Sequence, residues 1–334
     1  MTRRLAEVAR KVGVSEATVS RVLNGKSGVS DSTRQAVLTA LDVLGYERPT
    51  QLRGVRARLV GLVLPELQNP IFPALAEVVG GALVQLGFTP VLCTRSAGGL
   101  SEAEYVTMLL DQQVSGVVFC GGLSEEEYRQ LLDRGVPVVL VNAAVDYTGF
   151  PQVSTSDASA VQQAWAHLRS LGHQDVGLLV GPAEHAPSLH KAEAYRKLSQ
   201  QAGVRPRIGH ALFSFEGGTA VAAELVEAGC TALICGSDVL ALGAVRAVRR
   251  AGLSVPEDVS VVGFDDSVFM NYTDPPLTTL RQPIEAMARA AVSLLLNQIS
   301  GNAPTPKELL HEPELVVRRS TGQAPMLRAA VQAE

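Results

Sequence analysis

Short apolar segments alternate with helical patterns along most of the chain, beginning near residue 59. They read LVGLVLP, PVLCT, GVVFCG and VPVVLVN in a first series, then DVGLLVG, ALICGSD and VSVVGFDD in a second. Strands that alternate with helices form parallel sheets with helices on both faces. Because the series occurs twice, with a break near Ser156 and Asp157, we expect two similar doubly wound α/β lobes.

The N-terminal part of the chain shows a purely helical pattern instead. Gly13 separates a first helix from a second that Ser15 caps, and Ser30 caps a third helix that ends at Gly45. Apolar residues at helical spacing form the predicted buried faces: Leu5, Val8, Ala9, Val12, Val19, Val22, Leu23, Ala36, Val37, Ala40, Leu41 and Leu44. Two short helices joined by a tight turn and braced by a third form the unit that sets a recognition helix in the major groove of DNA.

Charge separates the two parts of the chain. Residues 1–60 carry 11 Lys and Arg against 5 Asp and Glu, whereas the remainder carries 18 against 28. A small basic segment on a large acidic body indicates that only this segment approaches a polyanion such as DNA. A protein-docking bundle is the alternative interpretation, but a docking helix would expose large apolar anchors. The exposed side of the second helix carries short or hydrogen-bonding residues instead: Ser15, Glu16, Ala17, Ser20 and Arg21, with Thr18 and Asn24 able to reach phosphates.

The strings LAEVARKVGVSEATVSRVLNG and VSDSTRQAVLTALDVLGY resemble the headpiece of the LacI/GalR family of bacterial repressors, through Tyr46. The resemblance implies that the first residues of the second helix contact base edges, here Glu16, Ala17, Ser20 and Arg21. We assign Arg4, Ser15, Thr18 and Asn24 to the same DNA interface. Glu16 is a departure in charge, since it accepts hydrogen bonds from cytosine but repels phosphate. A favourable charge at a helix N-terminus is an equally good explanation of Glu16.

The linker after the headpiece reads ERPTQLRGVRARLVG. Family members place a short helix here, and its leucine enters the minor groove at the centre of a palindromic operator. That position falls on Val55, beside Arg53 and Gly54, and the linker is shorter than usual. Because glycine disfavours a helix, we expect one that forms only when two subunits and DNA stabilise it. Arg53 and its neighbouring arginines are expected to contact phosphates or the minor groove. A flexible basic tether is the alternative.

Polar residues follow the predicted strands of the large part. Pro65 and Glu66, then Ser237 with Asp238, and Asp265 with Asp266 all stand where strands end. Ligands bind beyond the carboxyl ends of strands in such sheets. Carboxylate and amide groups beside an aromatic ring suit a sugar. Adjacent Asp265 and Asp266 point to opposite faces of a strand, so they cannot serve together as an acid and a base.

The resemblance covers almost the whole chain, including LPELQNPIF, LRSLGHQDVGLLVGP and PPLTTLRQP. It implies an effector domain with the fold of periplasmic sugar-binding proteins, and it makes Asn69, Phe72, Asp238 and Asp265 effector ligands. Lys191 stands where the family usually has arginine, which loses the two-pronged guanidinium contact. The run from LRGVRARLVG to GFPQVSTSDA resembles the maltose-repressor branch of actinobacterial type, which implies an α-glucoside effector.

These observations divide the chain into a headpiece at residues 1–46, a hinge at 47–58 and an effector-binding and dimerisation domain at 59–325. Lobe 1 is expected at about 59–157 and 283–313, and lobe 2 at about 158–282 and 314–325. The resemblance implies a homodimer that binds palindromic double-stranded DNA and a sugar. The tail lacks the leucine heptads of a tetramerising coiled coil.

Other classes of protein lack support in the sequence. There is no apolar run long enough to span a membrane and no signal peptide, so we expect a cytoplasmic protein. The cysteines lack metal or redox spacing, the glycines match no phosphate-binding motif, and no nucleophile motif occurs. We therefore expect no cofactor, no metal and no enzyme. The alternative function is a cytoplasmic sugar-binding protein without a DNA role.

Overall fold

The computed structural model describes residues 8–23, 28–43, 58–94, 102–121, 132–143, 149–302 and 308–325. The chain divides into two units, Met1–Arg58 and Leu59–Glu334. None of the described helices is long and apolar enough to cross a membrane.

The N-terminal unit contains α1 (residues 8–12), α2 (Glu16–Leu23) and α3 (Asp31–Val43). Ser15 Oγ accepts a hydrogen bond from the backbone N–H of Thr18 at 3.1 Å, and so begins α2. Ser30 does the same for α3 through the N–H of Thr33 at 3.2 Å. The three helices bury a common core of Val8, Ala9, Val19, Val22, Val37 and Ala40. The predicted starts of α2 and α3 therefore agree with the structure.

One predicted core position of this unit is wrong. Ala36 is exposed, because the buried face of α3 runs through Val37 and Ala40. The side chains of Leu5, Leu23, Leu41 and Leu44, together with Gly45, lie outside the described residues.

The larger unit contains two six-stranded sheets. Its strands are β1 (Arg58–Leu64), β2 (Phe88–Thr94), β3 (Gly116–Cys120), β4 (Val138–Val141), β5 (Gln152–Thr155), β6 (Val176–Val180), β7 (Ile208–His210), β8 (Ala232–Cys235), β9 (Ser260–Asp265), β10 (Thr278–Arg281), β11 (Glu308–His311) and β12 (Glu314–Val316). Its helices are α4 (Ile71–Gln85), α5 (Glu102–Asp111), α6 (Asp157–Ser170), α7 (Ala186–Gln201), α8 (Phe215–Glu227), α9 (Asp238–Arg250) and α10 (Ile284–Ile299).

The first sheet has the order β11-β5-β4-β3-β1-β2, and the second has the order β12-β10-β9-β8-β6-β7. In the first, β1 pairs parallel with β3, β3 with β4, β4 with β5 and β5 with β11. The second is parallel from β7 to β10, whereas β12 lies antiparallel to β10. Only residues 312 and 313 separate β11 from β12, so no helix intervenes to turn the chain. The sheets are parallel, as expected, except at this edge strand of the second lobe.

Helices cover both faces of each sheet. In the first lobe, α4 and α10 pack on one face with Leu83 and Leu295 in the core, and α5 packs on the other through Leu109. In the second lobe, α8 and α9 cover one face, and α6 and α7 cover the other. The described cysteines Cys93, Cys120, Cys230 and Cys235 are free and buried in these cores.

Three short connections join the lobes within the described residues. They are residue 156 between β5 and α6, residues 282–283 between β10 and α10, and residues 312–313 between β11 and β12. Each lobe points the carboxyl ends of its parallel strands at this junction. In sheets of this order a cleft opens where neighbouring strands send their connections to opposite faces. In the first lobe that point lies between β1 and β3, and in the second between β6 and β8.

Candidate functional site

The outward face of α2 is the candidate DNA interface. Glu16, Ala17 and Arg21 are exposed there, and Ser20 is half-buried. Glu16 lies in the first turn of α2, where a negative charge interacts favourably with the positive end of the helix dipole. The exposed side shows no large apolar residue in the described part of α2, which fits a groove-reading helix better than a protein-docking one.

Ser15 and Thr18 also serve the helix itself. Their hydroxyl groups lie 2.9 Å apart, in addition to the cap that Ser15 provides. A phosphate contact by Ser15 or Thr18 would use only the hydrogen-bonding capacity that remains. The other predicted DNA contacts, Arg4, Asn24, Arg53 and Val55, lie outside the described residues.

A cleft with a cavity volume of about 480 Å³ lies between the two lobes. Its size falls in the range of small-molecule sites, about 300 to 1,000 Å³. The first lobe supplies Asn69 and Phe72, which follow β1, and the second supplies Lys191 and Asp265. Four of the five predicted effector residues thus line one cavity.

Asp265 ends β9 and is the central polar group of the cleft. Its Oδ1 accepts a hydrogen bond from Gln282 Nε2 at 2.6 Å, whereas the buried Oδ2 has no well-formed hydrogen bond among the described residues, although the Asn69 amide lies near enough to lower the pKa of the carboxyl. Burial, followed by the charge of Asp238, raises the pKa of Asp265 well above its ordinary value, and Gln282, Lys191 and Asn69 oppose that rise. The backbone has φ +116°, a strained conformation for a residue other than glycine. Strain and an unpaired buried oxygen are typical of ligand sites.

Gln282 joins the two lobes beside Asp265. Its Oε1 accepts hydrogen bonds from Asn142 Nδ2 at 3.0 Å and from Thr155 Oγ1 at 2.8 Å, both in the first lobe. Sequence analysis missed Gln282 and Asn142, although Asn142 ends the predicted strand VPVVLVN. The strand-end rule that located Asp265 applies equally to Asn142.

Aromatic rings form the apolar walls of the cleft. Phe72 faces it from the first lobe, and Phe213 and Phe264 from the second. Gly181 makes room for Phe213, because a Cβ at position 181 would overlap its ring. His185 meets Phe213 edge-on at 5.2 Å, and burial followed by the charge of Lys191 lowers the pKa of His185 to about 4. His185 is therefore uncharged at neutral pH. Sequence analysis missed His185, Phe213 and Phe264.

Lys191 lies in the cleft wall on α7. Its Nζ donates a hydrogen bond to Asp157 Oδ1 and lies 4.0 Å from the centroid of the Phe264 ring. Asp157 begins α6 at the first connection between the lobes. A second cavity, of about 440 Å³, lies beyond Asp157 and is lined by His190 and the outward face of α7.

Asp238 does not line the cleft, which argues against its predicted role as an effector ligand. Its Oδ2 accepts hydrogen bonds from the backbone N–H and the hydroxyl of Ser267, at 2.8 and 2.9 Å. Its Oδ1 accepts from Thr279 Oγ1 at 2.6 Å. Burial raises the pKa of Asp238 to about 6, and these hydrogen bonds oppose the rise. Both oxygens are occupied inside the second lobe, so Asp238 organises the protein rather than a ligand.

Asp266 does not line the cleft. It lies beyond the end of β9 with φ +57°, so its direction is set by the turn and not by the strand alternation that the sequence suggested. It forms ion pairs at 2.7 Å with Arg281 and with Arg318. Asp265 and Asp266 therefore have separate environments. Within the described residues no cluster of His, Cys, Asp and Glu could hold a metal ion. The arrangement suits reversible binding of a hydroxyl-rich molecule.

Known protein families match both units of the chain. Residues 4–49 match the family model described as bacterial regulatory proteins, lacI family, and residues 165–321 match the periplasmic binding protein-like domain. The HTH-type transcriptional regulator MalR of Streptomyces coelicolor is 50% identical over 338 residues, covering 97% of this chain and 98% of the relative. The match at the headpiece speaks against a sugar-binding protein without a DNA role.

Solved structures resemble the chain along its length. The Lac repressor dimer bound to operator and the anti-inducer ONPF has a TM-score of 0.76 and 29% identity, and covers 94% of this chain and 98% of that one. The complex of the transcriptional regulator CelR with cellobiose has a TM-score of 0.71 and 33% identity, over 95% and 99% of the two chains.

Proposed function

The chain belongs to the LacI family of bacterial regulatory proteins, and from that membership we propose that an α-glucoside of the maltose type, bound in the interlobe cleft, releases it from its operator. The protein is a DNA-binding transcription repressor, and a small-molecule effector controls its hold on DNA. It is not an enzyme. As a homodimer it presents two α2 helices to the half-sites of a palindromic operator.

The unpartnered Oδ2 of Asp265 is the observation that carries the choice of a sugar. A buried carboxylate oxygen accepts a sugar hydroxyl, and the amide of Asn69 supplies a donor beside it. Phe72 and Phe213 offer ring faces to the apolar side of a pyranose. Neither the uncharged imidazole of His185 nor the amide side chains of the cleft favour a charged ligand.

The proposed effector contacts are Asn69, Phe72, Lys191 and Asp265. Asp238 is left out because its oxygens are already occupied. At the headpiece, Glu16, Ala17, Ser20 and Arg21 are proposed to contact bases. Ser15, Thr18, Asn24, Arg4 and Arg53 are proposed to contact phosphates or sugars of the backbone, and Val55 the central minor groove.

Titration calorimetry with maltose, cellobiose and glucose tests the proposed effector, paired with operator binding at fixed salt. We expect maltose to bind and to weaken operator affinity, and cellobiose to do neither, because its β-linkage directs the second ring along another path. Stronger binding of cellobiose would reject the α-glucoside. Sugar binding without any change in operator affinity would reject the regulatory role of the cleft.

A further inference from the structure

The contact between Lys191 and Asp157 is an ion pair almost sealed from water. The two side chains are 6% and 9% exposed, and Lys191 Nζ donates directly to Asp157 Oδ1. The aromatic face of Phe264 covers the ammonium group from another side. Removing one partner of such a pair leaves a buried, uncompensated charge. The pair therefore fixes the position of both elements that carry it.

The two helices that carry this ion pair lie at different places in the domain. Lys191 stands in the middle of α7, with its head group in the wall of the effector cleft. Asp157 is the first residue of α6, two residues beyond Thr155 at the end of β5, where the chain passes from the first lobe to the second. The ion pair thus ties the cleft wall to a connection between the lobes.

The ammonium group has capacity for a further partner. It carries three N–H donors, and Asp157 is the only hydrogen-bond acceptor that the described residues offer it. Its remaining donors are available on the cleft side, where the proposed sugar lies. Asp157 Oδ2 faces outward instead, 3.9 Å from His190 Nδ1 beside the second cavity.

We propose that the Lys191–Asp157 pair converts occupation of the cleft into movement of the lobes. This inference rests on the proposed function. A sugar hydroxyl that accepts from Lys191 Nζ shares the ammonium with Asp157, weakens the pair and frees the start of α6 at the connection. Asp157 also lines the cleft, but Lys191 occupies its Oδ1 and its Oδ2 faces His190, so in this scheme it is a positioning residue that acts through Lys191.

The decisive variant removes both charges, as Asp157→Asn with Lys191→Met, so that no unpaired charge remains buried. Replacing a whole buried pair by groups of similar size is far better tolerated than removing one partner. We expect the double variant to bind operator as the wild type does. Because Lys191 is a proposed effector contact, maltose affinity should fall, and the response is therefore compared at maltose concentrations that saturate each protein. Maltose should change its operator affinity at least fivefold less than it does for the wild type.

Two comparisons isolate the pair. Asp175→Asn removes the acid of another pair of the second lobe, Arg207–Asp175, which lies outside the cleft lining, and should leave the maltose response intact. Asp157→Asn alone should be less stable than the double variant, because it leaves the buried ammonium group of Lys191 without a partner.

The outcomes separate this inference from the proposed function. A wild-type chain that does not respond to maltose rejects the proposed effector. A wild-type chain that responds, with a double variant that responds equally, overturns the role of the pair. Loss of operator affinity in the double variant without maltose would also overturn it, because the pair would then maintain the fold alone.

Discussion

Replacing Asp265 by asparagine separates ligand binding from folding. The substitution keeps the shape of the side chain and the partner for Gln282, whose amide can donate to the new carbonyl oxygen. It removes the charge from the unpartnered oxygen. Hydrogen bonds to charged groups contribute about 1.5 to 3 kcal/mol, so sugar affinity should fall on the order of tenfold to a hundredfold.

The Asp265→Asn variant should be as stable as the wild type without ligand, or more stable. Burial and Asp238 raise the pKa of Asp265, which means that ionisation at neutral pH costs the folded state free energy. Asparagine avoids that cost, and it tolerates a positive φ better than most residues do. Calorimetry with maltose and thermal unfolding without ligand measure the two effects.

Asp266→Asn is the matched control. It changes the neighbouring residue in the same way, but it weakens the ion pairs with Arg281 and Arg318 outside the cleft. It should lower the melting temperature and leave sugar affinity unchanged. Wild-type sugar affinity in Asp265→Asn would refute the ligand role. A lowered melting temperature in Asp265→Asn would refute the account of its burial.

Three further predictions concern DNA, the linker and pH. Arg21→Ala should weaken operator binding by about 1 to 3 kcal/mol and relax preference at one base pair of each half-site; equal loss on random DNA would make Arg21 a phosphate contact. Gly54→Ala, in the linker outside the described residues, should raise operator affinity and blunt release by the sugar, which gel-shift titrations with and without maltose measure. Sugar affinity should decrease as pH falls, because Asp265, whose pKa is raised by burial and by Asp238, takes up a proton; calorimetry at a series of pH values should find this dependence in the wild type and not in Asp265→Asn.

The sequence predicted strands where the core demands continuous apolar residues. The runs at β1, β3, β4, β6, β8 and β9 are buried on both faces, so their composition alone identifies them. The short strands β5, β7, β10, β11 and β12 were not predicted from the sequence. β5 reads QVST and β10 reads TTLR, and both owe their extended form to pairing with neighbours in the sheet.

The site was predictable where it follows a recognisable strand. Asn69 lies in the loop after β1 and Asp265 ends β9, and topology brings both to the cleft. Phe213 follows the three-residue strand β7, which has no apolar signature, and its place depends on the space left by Gly181. Asp238 stood beside a strand end as well, but Ser267 and Thr279 occupy its oxygens. Sequence gives the position of such a carboxylate and leaves its partners open.

Gln282 explains how a small ligand can alter the arrangement of two large lobes. One side chain donates to Asp265 in the second lobe and accepts from Asn142 and Thr155 in the first. A sugar that engages Asp265 must compete with or reinforce this bridge, and each hydrogen bond of the bridge contributes about 0.5 to 1.5 kcal/mol. Coupling between two sites is typically worth about 1 to 3 kcal/mol, which one or two of these hydrogen bonds can supply. A ligand shifts an equilibrium only by its different affinity for the two states. The proposed regulation therefore requires that the sugar contacts differ between two arrangements of the lobes. We expect Gln282 and Lys191, which touch both the cleft and a connection, to provide that difference.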